Sequence, residues 1–228
     1  MTPQHVYMVF ELIVFLFAIS IHESAHAWMA LRRGDPTASM LGRVTLNPIK
    51  HIDPVGTILL PAIALFTGIP LLGWAKPTPV NPRNFRNPVL DDVLTAVAGP
   101  FSNFLVAFGA VIILIVISIS SVNGHEAVVG MLQGAPLAGS ESFFTPLSLF
   151  LFALLQINVV LAMFNLIPVP PLDGSHVLRH FLSGPVLMAY DRIGFFALLL
   201  LVYLGGGLIR RVITPVMGFF LGLVFKFS

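Results

Sequence analysis

Residues 93–120 are twenty-eight consecutive positions without a charged side chain. At about 1.5 Å of rise per residue, a helix of that length more than crosses a hydrocarbon core of roughly 30 Å. A second apolar run extends from about Val6 to Leu31, and a third covers residues 144–167 and ends at Pro168. Two interrupted regions accompany them. Residues 54–73 are broken by Pro61, Gly68 and Pro70, and residues 189–227 divide near Gly205-Gly206-Gly207 and the Arg210-Arg211 pair. Apolar residues make up 57% of the chain and charged ones 10%, against about 45–50% and 25% in soluble domains. A chain so composed cannot hide its apolar surface in one water-soluble core. The pattern predicts an all-α polytopic membrane protein with about five to six transmembrane or re-entrant segments. The 228 residues suit a single integral-membrane domain over 1–228, its core at about 6–182 and its C-terminal helices at about 189–227.

Charge supplies the expected topology. Twelve Lys and Arg against ten Asp and Glu leave too small an excess to point to nucleic acid. Their placement is more informative. Residues 32–53 hold Arg32, Arg33, Arg43 and Lys50, and residues 74–92 hold Lys76, Arg83 and Arg86. Residues 121–143 carry only Glu126 and Glu141. The positive-inside rule makes the first two connections cytoplasmic and the third external, in a multi-pass protein of the cell membrane. Arg210 and Arg211 fit that scheme poorly. Met1 to His5 lacks the basic start of a signal peptide, so the first run is expected to stay as a transmembrane helix. Cysteine is absent, which excludes disulfides, thiolate catalysis and cysteine metal sites.

A cluster of three ionisable side chains interrupts the first span, in His22-Glu23-Ser24-Ala25-His26. Each is costly at membrane depth and therefore a mark of function. The i, i+4 spacing puts both imidazoles on one helix face, one turn apart, where they can share a metal ion. Glu23 points aside from the first ligand, toward where the reacting water would sit. This is the mechanical content of H-E-x-x-H: two zinc ligands and a general base. A chain of this composition matches the pattern by chance on the order of 0.004 times. A catalytic zinc site needs a third protein ligand and an open position. The best candidate is Asp173, in Asn165-Leu166-Ile167-Pro168-Val169-Pro170-Pro171-Leu172-Asp173-Gly174. The prolines forbid ordinary helix there, and non-helical backbone at membrane depth must line protein or a wet cavity. The rival reading is that Asp173 merely caps the next helix. His22 and His26 lie six to ten residues before Arg32, about 9–15 Å below the cytoplasmic face. Asp173 and Asn103 fall at the cytoplasmic ends of their own spans, so the topology brings the candidates to one level.

Together, His22-Glu23-x-x-His26, the Asn165 to Leu172-Asp173-Gly174 run and Ala98-Gly99-Pro100-Phe101-Ser102-Asn103 resemble the site-2 protease family of intramembrane zinc metalloproteases. The resemblance covers roughly residues 10–180 and is nearest the compact bacterial branch without a PDZ or CBS domain. It implies one zinc ion per chain, held by His22, His26 and Asp173, with Glu23 as catalytic acid/base. It also implies that Asn165 holds substrate or the reaction intermediate. Ser175 departs from the Gly that family members often carry. The implied substrate is a single-span membrane protein such as an anti-sigma factor or a transcription-factor precursor, cut toward the cytoplasmic side.

Asn165 or Asn103 could donate to a developing oxyanion, and either could instead tie helices together. Residues 73–82, rich in alternate prolines, suit a short membrane-associated β element whose edge pairs with an extended substrate. A plain extended loop is the competing expectation. His176 and His180 repeat the i, i+4 spacing and suit a supporting or interfacial role better than a second metal pair. His51 and Asp53 suggest a capping or gating loop, while His5 and His125 are expected in solvent. Intramembrane His, Glu and Asp also build metal-ion or proton transporters. That alternative requires a polar path through the full membrane thickness, which the apolar outer halves of the spans do not offer. A non-enzymatic scaffold would have no need of Glu23.

Overall fold

A computed structural model describes residues 3–67, 73–134, 142–204 and 206–227. Gly68, Pro70, Glu141 and Gly205, and the side chain of His5, lie outside what it describes. Among the described residues every regular element is helical: α1 (Pro3–Arg33), α2 (Thr37–Met40), α3 (Leu60–Thr67), α4 (Pro88–Ser120), α5 (Val122–Leu132), α6 (Phe144–Asn165), α7 (Gly174–Arg179), α8 (Gly184–Leu204) and α9 (Gly206–Phe227). Single 3₁₀ turns occupy Pro48–Lys50 and Pro82–Asn84, and a π turn at Pro54–Leu59 leads into α3. Three helices are long and apolar enough to cross a membrane, over Tyr7–Arg33, Pro88–Ser120 and Phe144–Asn165. They agree with three of the expected spans. The connection between α4 and α6 is more ordered than expected, since α5 lies within it and packs Val128 into the core.

Local chemistry sets the helix ends. α1 closes on Arg32 and Arg33, which complement the negative end of its dipole. Gly34 follows at φ 111°, with hydrogen bonds from Gly34 N–H to Leu31 O and from Asp35 N–H to Ala30 O. That is a Schellman closure. A Cβ at Gly34 would stand 2.9 Å from Asn84 O, so the position also needs a side chain of no size. Asp53 caps the π turn, accepting from Val55 N–H at 3.0 Å and Gly56 N–H at 2.8 Å. Asp53 is thus a helix-starting residue.

Helices α1, α4 and α6 pack on one another, with α5 and α9 against the C-terminal half of α4, its outer half in the expected topology. There Ala107, Ala110, Val111 and Leu114 meet Val128, Leu151, Leu155, Val159, Phe220 and Val224. Alanines at the seam let the backbones approach closely, the usual basis of helix association in lipid.

The segment at 73–82 is extended but forms no β ladder with any described residue, which corrects the expectation of a β element. Its inner edge is tied to scattered partners. Trp74 N–H donates to Gly56 O, Lys76 N–H to His51 O and Asn81 N–H to the Asp35 carboxylate. Thr57 Oγ1 and Arg43 Nη1 donate to the carbonyls of Trp74 and Lys76. Pro77, Pro79 and Pro82 have no N–H to offer, and among the described residues no strand stands alongside. Buried Asp35 fixes the far end, accepting also from Thr37 and Asn84. Burial by itself would raise the Asp35 carboxyl, but these hydrogen bonds outweigh it and hold it below the ordinary range.

Candidate metal centre

The His22-Glu23-x-x-His26 turn faces α4, and Gly99 is the reason both rings fit. A Cβ there would overlap Nε2 and Cε1 of His26 and Cε1 of His22. The rings meet edge to face, 4.6 Å between centroids. Each is held from behind. His26 Nδ1 lies 2.7 Å from Thr95 O, and a carbonyl can only accept, so Nδ1 carries the proton. His22 Nδ1 lies 2.6 Å from Asn103 Oδ1. The Asn103 amide nitrogen faces Ala18 O at 3.2 Å and Asn158 Oδ1 at 2.7 Å, so its oxygen is turned toward His22, and His22 Nδ1 also donates. With each Nδ1 engaged from behind, Nε2 is the ring nitrogen that each histidine turns inward and can offer to a metal ion.

Asp173 completes the convergence. It stands just before α7, yet its side chain makes no capping bond. Instead Oδ2 lies 3.1 Å from His22 Nε2 and 3.4 Å from His26 Nε2. Gly174 allows the loop to fold this tightly, since a Cβ there would run into the Leu166 and Ile167 backbone. With both Nε2 atoms unprotonated, two imidazole lone pairs and a carboxylate oxygen this close make a donor set for a metal cation. Separations near 3.3 Å are what four-coordinate zinc with bonds of about 2.0–2.1 Å requires. The donor set fits such an ion. Glu23 contributes a carboxylate oxygen beside the imidazoles, and the donor atoms of His22, Glu23 and His26 all lie within 4.8 Å of one another.

Glu23 is held by the extended segment. Thr78 N–H donates to Glu23 Oε2 at 2.8 Å, and the Thr78 hydroxyl donates to Glu23 O at 3.0 Å. The two asparagines separate. Asn103 is fully buried, and both its amide hydrogens and its oxygen are engaged. Asn165 is half-buried at the end of α6, and its amide donates one hydrogen to Leu161 O at 2.9 Å, leaving the second available. His176 Nδ1 and His180 Nε2 both face the Asp92 carboxylate, at 3.1 Å and 2.9 Å. His51 is buried and bonds Thr45 O, bracing the loop on which Lys76 rests. His125 is exposed and bonds Ser118.

The sequence reading missed Asn158, Thr95, Thr78 and Asp92. An asparagine in the middle of an apolar span was a visible signal for Asn158. Thr95 and Thr78 act through main-chain groups, which no residue type reveals.

Buried imidazoles and carboxylates converging within a bundle of apolar helices make a helical protein with a candidate metal centre, and the comparisons make the class definite. The profile of Peptidase family M50 matches residues 10–202, so the chain belongs to that family of site-2 proteases, which are zinc metalloproteases. It is 42% identical over 173 residues to the Bacillus subtilis protein named "Putative zinc metalloprotease YwhC", covering 76% of this chain and 68% of that one. It is 26% identical over 216 residues to the Mycobacterium tuberculosis protein named "Putative zinc metalloprotease Rip2", covering 92% and 69%. Its counterpart of the same name in Mycolicibacterium smegmatis is 26% identical over 178 residues, covering 77% of this chain and 59% of that one. No solved structure matches.

Proposed function

We propose that this protein is an intramembrane protease of the cell membrane that hydrolyses a peptide bond within or near the transmembrane segment of a single-span substrate, as in regulated release of an anti-sigma factor or a transcription-factor precursor. The whole chain acts as one domain, with the site toward the cytoplasmic side. The contact of His22 Nε2, His26 Nε2 and Asp173 Oδ2, with Glu23 beside them, carries the reading.

His22, His26 and Asp173 would hold one zinc ion per chain; when bound, it supplies a Lewis acid that polarises the scissile carbonyl and acidifies water. The rest is work of the protein. Thr95 O and Asn103 Oδ1 fix each imidazole with its proton on Nδ1. A Glu23 carboxylate oxygen takes a proton from the attacking water and returns it to the leaving amine. Thr78 N–H keeps that carboxylate turned to the site. The free amide hydrogen of Asn165 donates to the developing oxyanion. Asn103, fully engaged, orients His22. The substrate must unwind, because a helical peptide bond is already hydrogen-bonded, and the outer edge of the 73–82 segment offers carbonyl acceptors to an extended chain. The transport alternative would need a polar path past Leu114 and Leu155, where the buried side chains are largely apolar and the polar ones are the small Ser118, Thr145 and Ser148.

The test is cleavage of a panel of single-span substrates by purified wild type and Glu23→Gln, with bound zinc measured in both. We expect cleavage to fall at least about 100-fold in the variant with zinc retained. Equal cleavage by the two proteins would overturn the assignment.

A further inference from the structure

Asp92, His176 and His180 form a cluster outside the zinc-binding triad, and nothing in the reaction as described uses them. Asp92 is 8% exposed. Its Oδ1 and Oδ2 stand 3.1 Å and 3.2 Å from His176 Nδ1, and Oδ2 stands 2.9 Å from His180 Nε2. The two imidazoles lie on and just after α7, the short helix that begins at Gly174, immediately after Asp173. Asp92 lies on α4, and its position there is telling. Asp92, Thr95, Gly99 and Asn103 follow at intervals of three and four, one stripe of a single helix face. Along that stripe Thr95 O holds His26, Gly99 makes room for both rings and Asn103 holds His22. Asp173 is the remaining member of the triad, and its contacts to the imidazoles do not by themselves fix the loop that carries it.

We propose that Asp92 is a positioning residue for Asp173, acting through His176 and His180, so that one face of α4 supports all three zinc-binding side chains. The inference rests on the assignment of Asp173 to the zinc site. A six-residue helix is too short to hold its own position by backbone bonding alone. The carboxylate bridge docks α7 onto α4 one turn before Thr95, and the register of α7 then sets where Asp173 points. His176 and His180 are partly exposed, at 38% and 23% of their side chains, so replacing them leaves no buried charge unpaired except Asp92 itself.

The experiment compares zinc affinity, by chelator competition on the purified full chain, for wild type, Asp92→Asn, His176→Gln/His180→Gln, the triple variant and Asp173→Asn. Apo-state thermal unfolding is followed in parallel. Asp92→Asn is expected to weaken zinc binding by about 10- to 100-fold, with the apo unfolding temperature changed little. The double histidine variant should match it, and the triple variant should lose no more than either, because all three groups act as one unit. Additive losses, or full affinity in Asp92→Asn, would overturn the proposal. Asp173→Asn separates the two readings: unchanged affinity there refutes Asp173 as a zinc-binding residue, whereas a loss in Asp173→Asn beside normal binding in Asp92→Asn refutes only the clamp.

Discussion

One face of α4 has two characters. From Asp92 to Asn103 it presents a carboxylate to His176 and His180, and a main-chain carbonyl, a bare glycine and an amide to His22 and His26. From Ala107 to Ile117 the same face presents Ala107, Ala110, Val111, Leu114 and Ile117 to α5, α6 and α9. The helical period is the same in both halves and both are buried, but they are buried for different reasons. The inner half fixes donor atoms by hydrogen bonds whose geometry must be right to a fraction of an ångström. The outer half holds helices together by close contact, where shape is what counts. Damage to the inner half should therefore show in metal binding and turnover, and damage to the outer half in stability.

The largest effect comes from two glycines of this helix. Gly99→Ala should abolish zinc retention, with affinity down by more than about 100-fold and turnover lost, because the added Cβ overlaps both imidazoles. Gly109→Ala meets nothing within 4 Å and should leave zinc binding intact, with stability unchanged or raised by up to about 1 kcal/mol. Metal analysis after chelator wash, with circular dichroism as the fold control, reads both. If Gly99→Ala keeps its zinc, the inner half is not the constrained surface described here.

Next in size is Leu114→Ala, which should cost about 2–5 kcal/mol of stability while leaving zinc affinity within about twofold of wild type. Asn103→Ala should do the reverse in emphasis, weakening zinc by about 10- to 100-fold as His22 loses its partner. A shared profile for the two variants would erase the distinction between the halves. Chelator competition and detergent unfolding, run on the same preparations, supply both axes.

The smallest effect lies at the rim. The Asp35 carboxyl is held below its ordinary value by hydrogen bonds from Thr37, Asn81 and Asn84, which outweigh burial. A group with a depressed folded pKa contributes stability that is fully present above its unfolded value and is lost as pH falls through the folded one. Wild type should therefore unfold at a higher temperature than Asp35→Asn at neutral pH, and the gap should close below about pH 4. A gap independent of pH would mean that Asp35 anchors the extended segment by packing alone.

Much was legible before any coordinates. Long uncharged runs can only be helices in lipid, because every backbone polar group there must be bonded within its own segment. His22, Glu23 and His26 stood out by cost, since an ionisable group at that depth marks a candidate functional site. Asp173 was legible as a candidate from a proline run that no span tolerates. Its rival role as a helix cap could not be dismissed from sequence, since both roles ask for the same residue type at the same place; what the structure adds is that its oxygen reaches the imidazoles and makes no capping bond. The same limit applied to the asparagines. Asn103 and Asn165 are chemically identical, and only their surroundings show that one amide is fully engaged while the other keeps a hydrogen free. The extended segment at 73–82 was legible as extended from its prolines, but its partners were not. Whether an extended chain joins a ladder depends on what lies beside it, and here its neighbours are a loop, a helix end and Glu23. Sequence thus determined which groups are too costly to be idle and which segments can cross a membrane, both of which are local properties of the chain. Tertiary structure alone decided which group faces which, because Thr95, Thr78 and Asp92 support the centre through main-chain atoms and contacts tens of residues away in the chain.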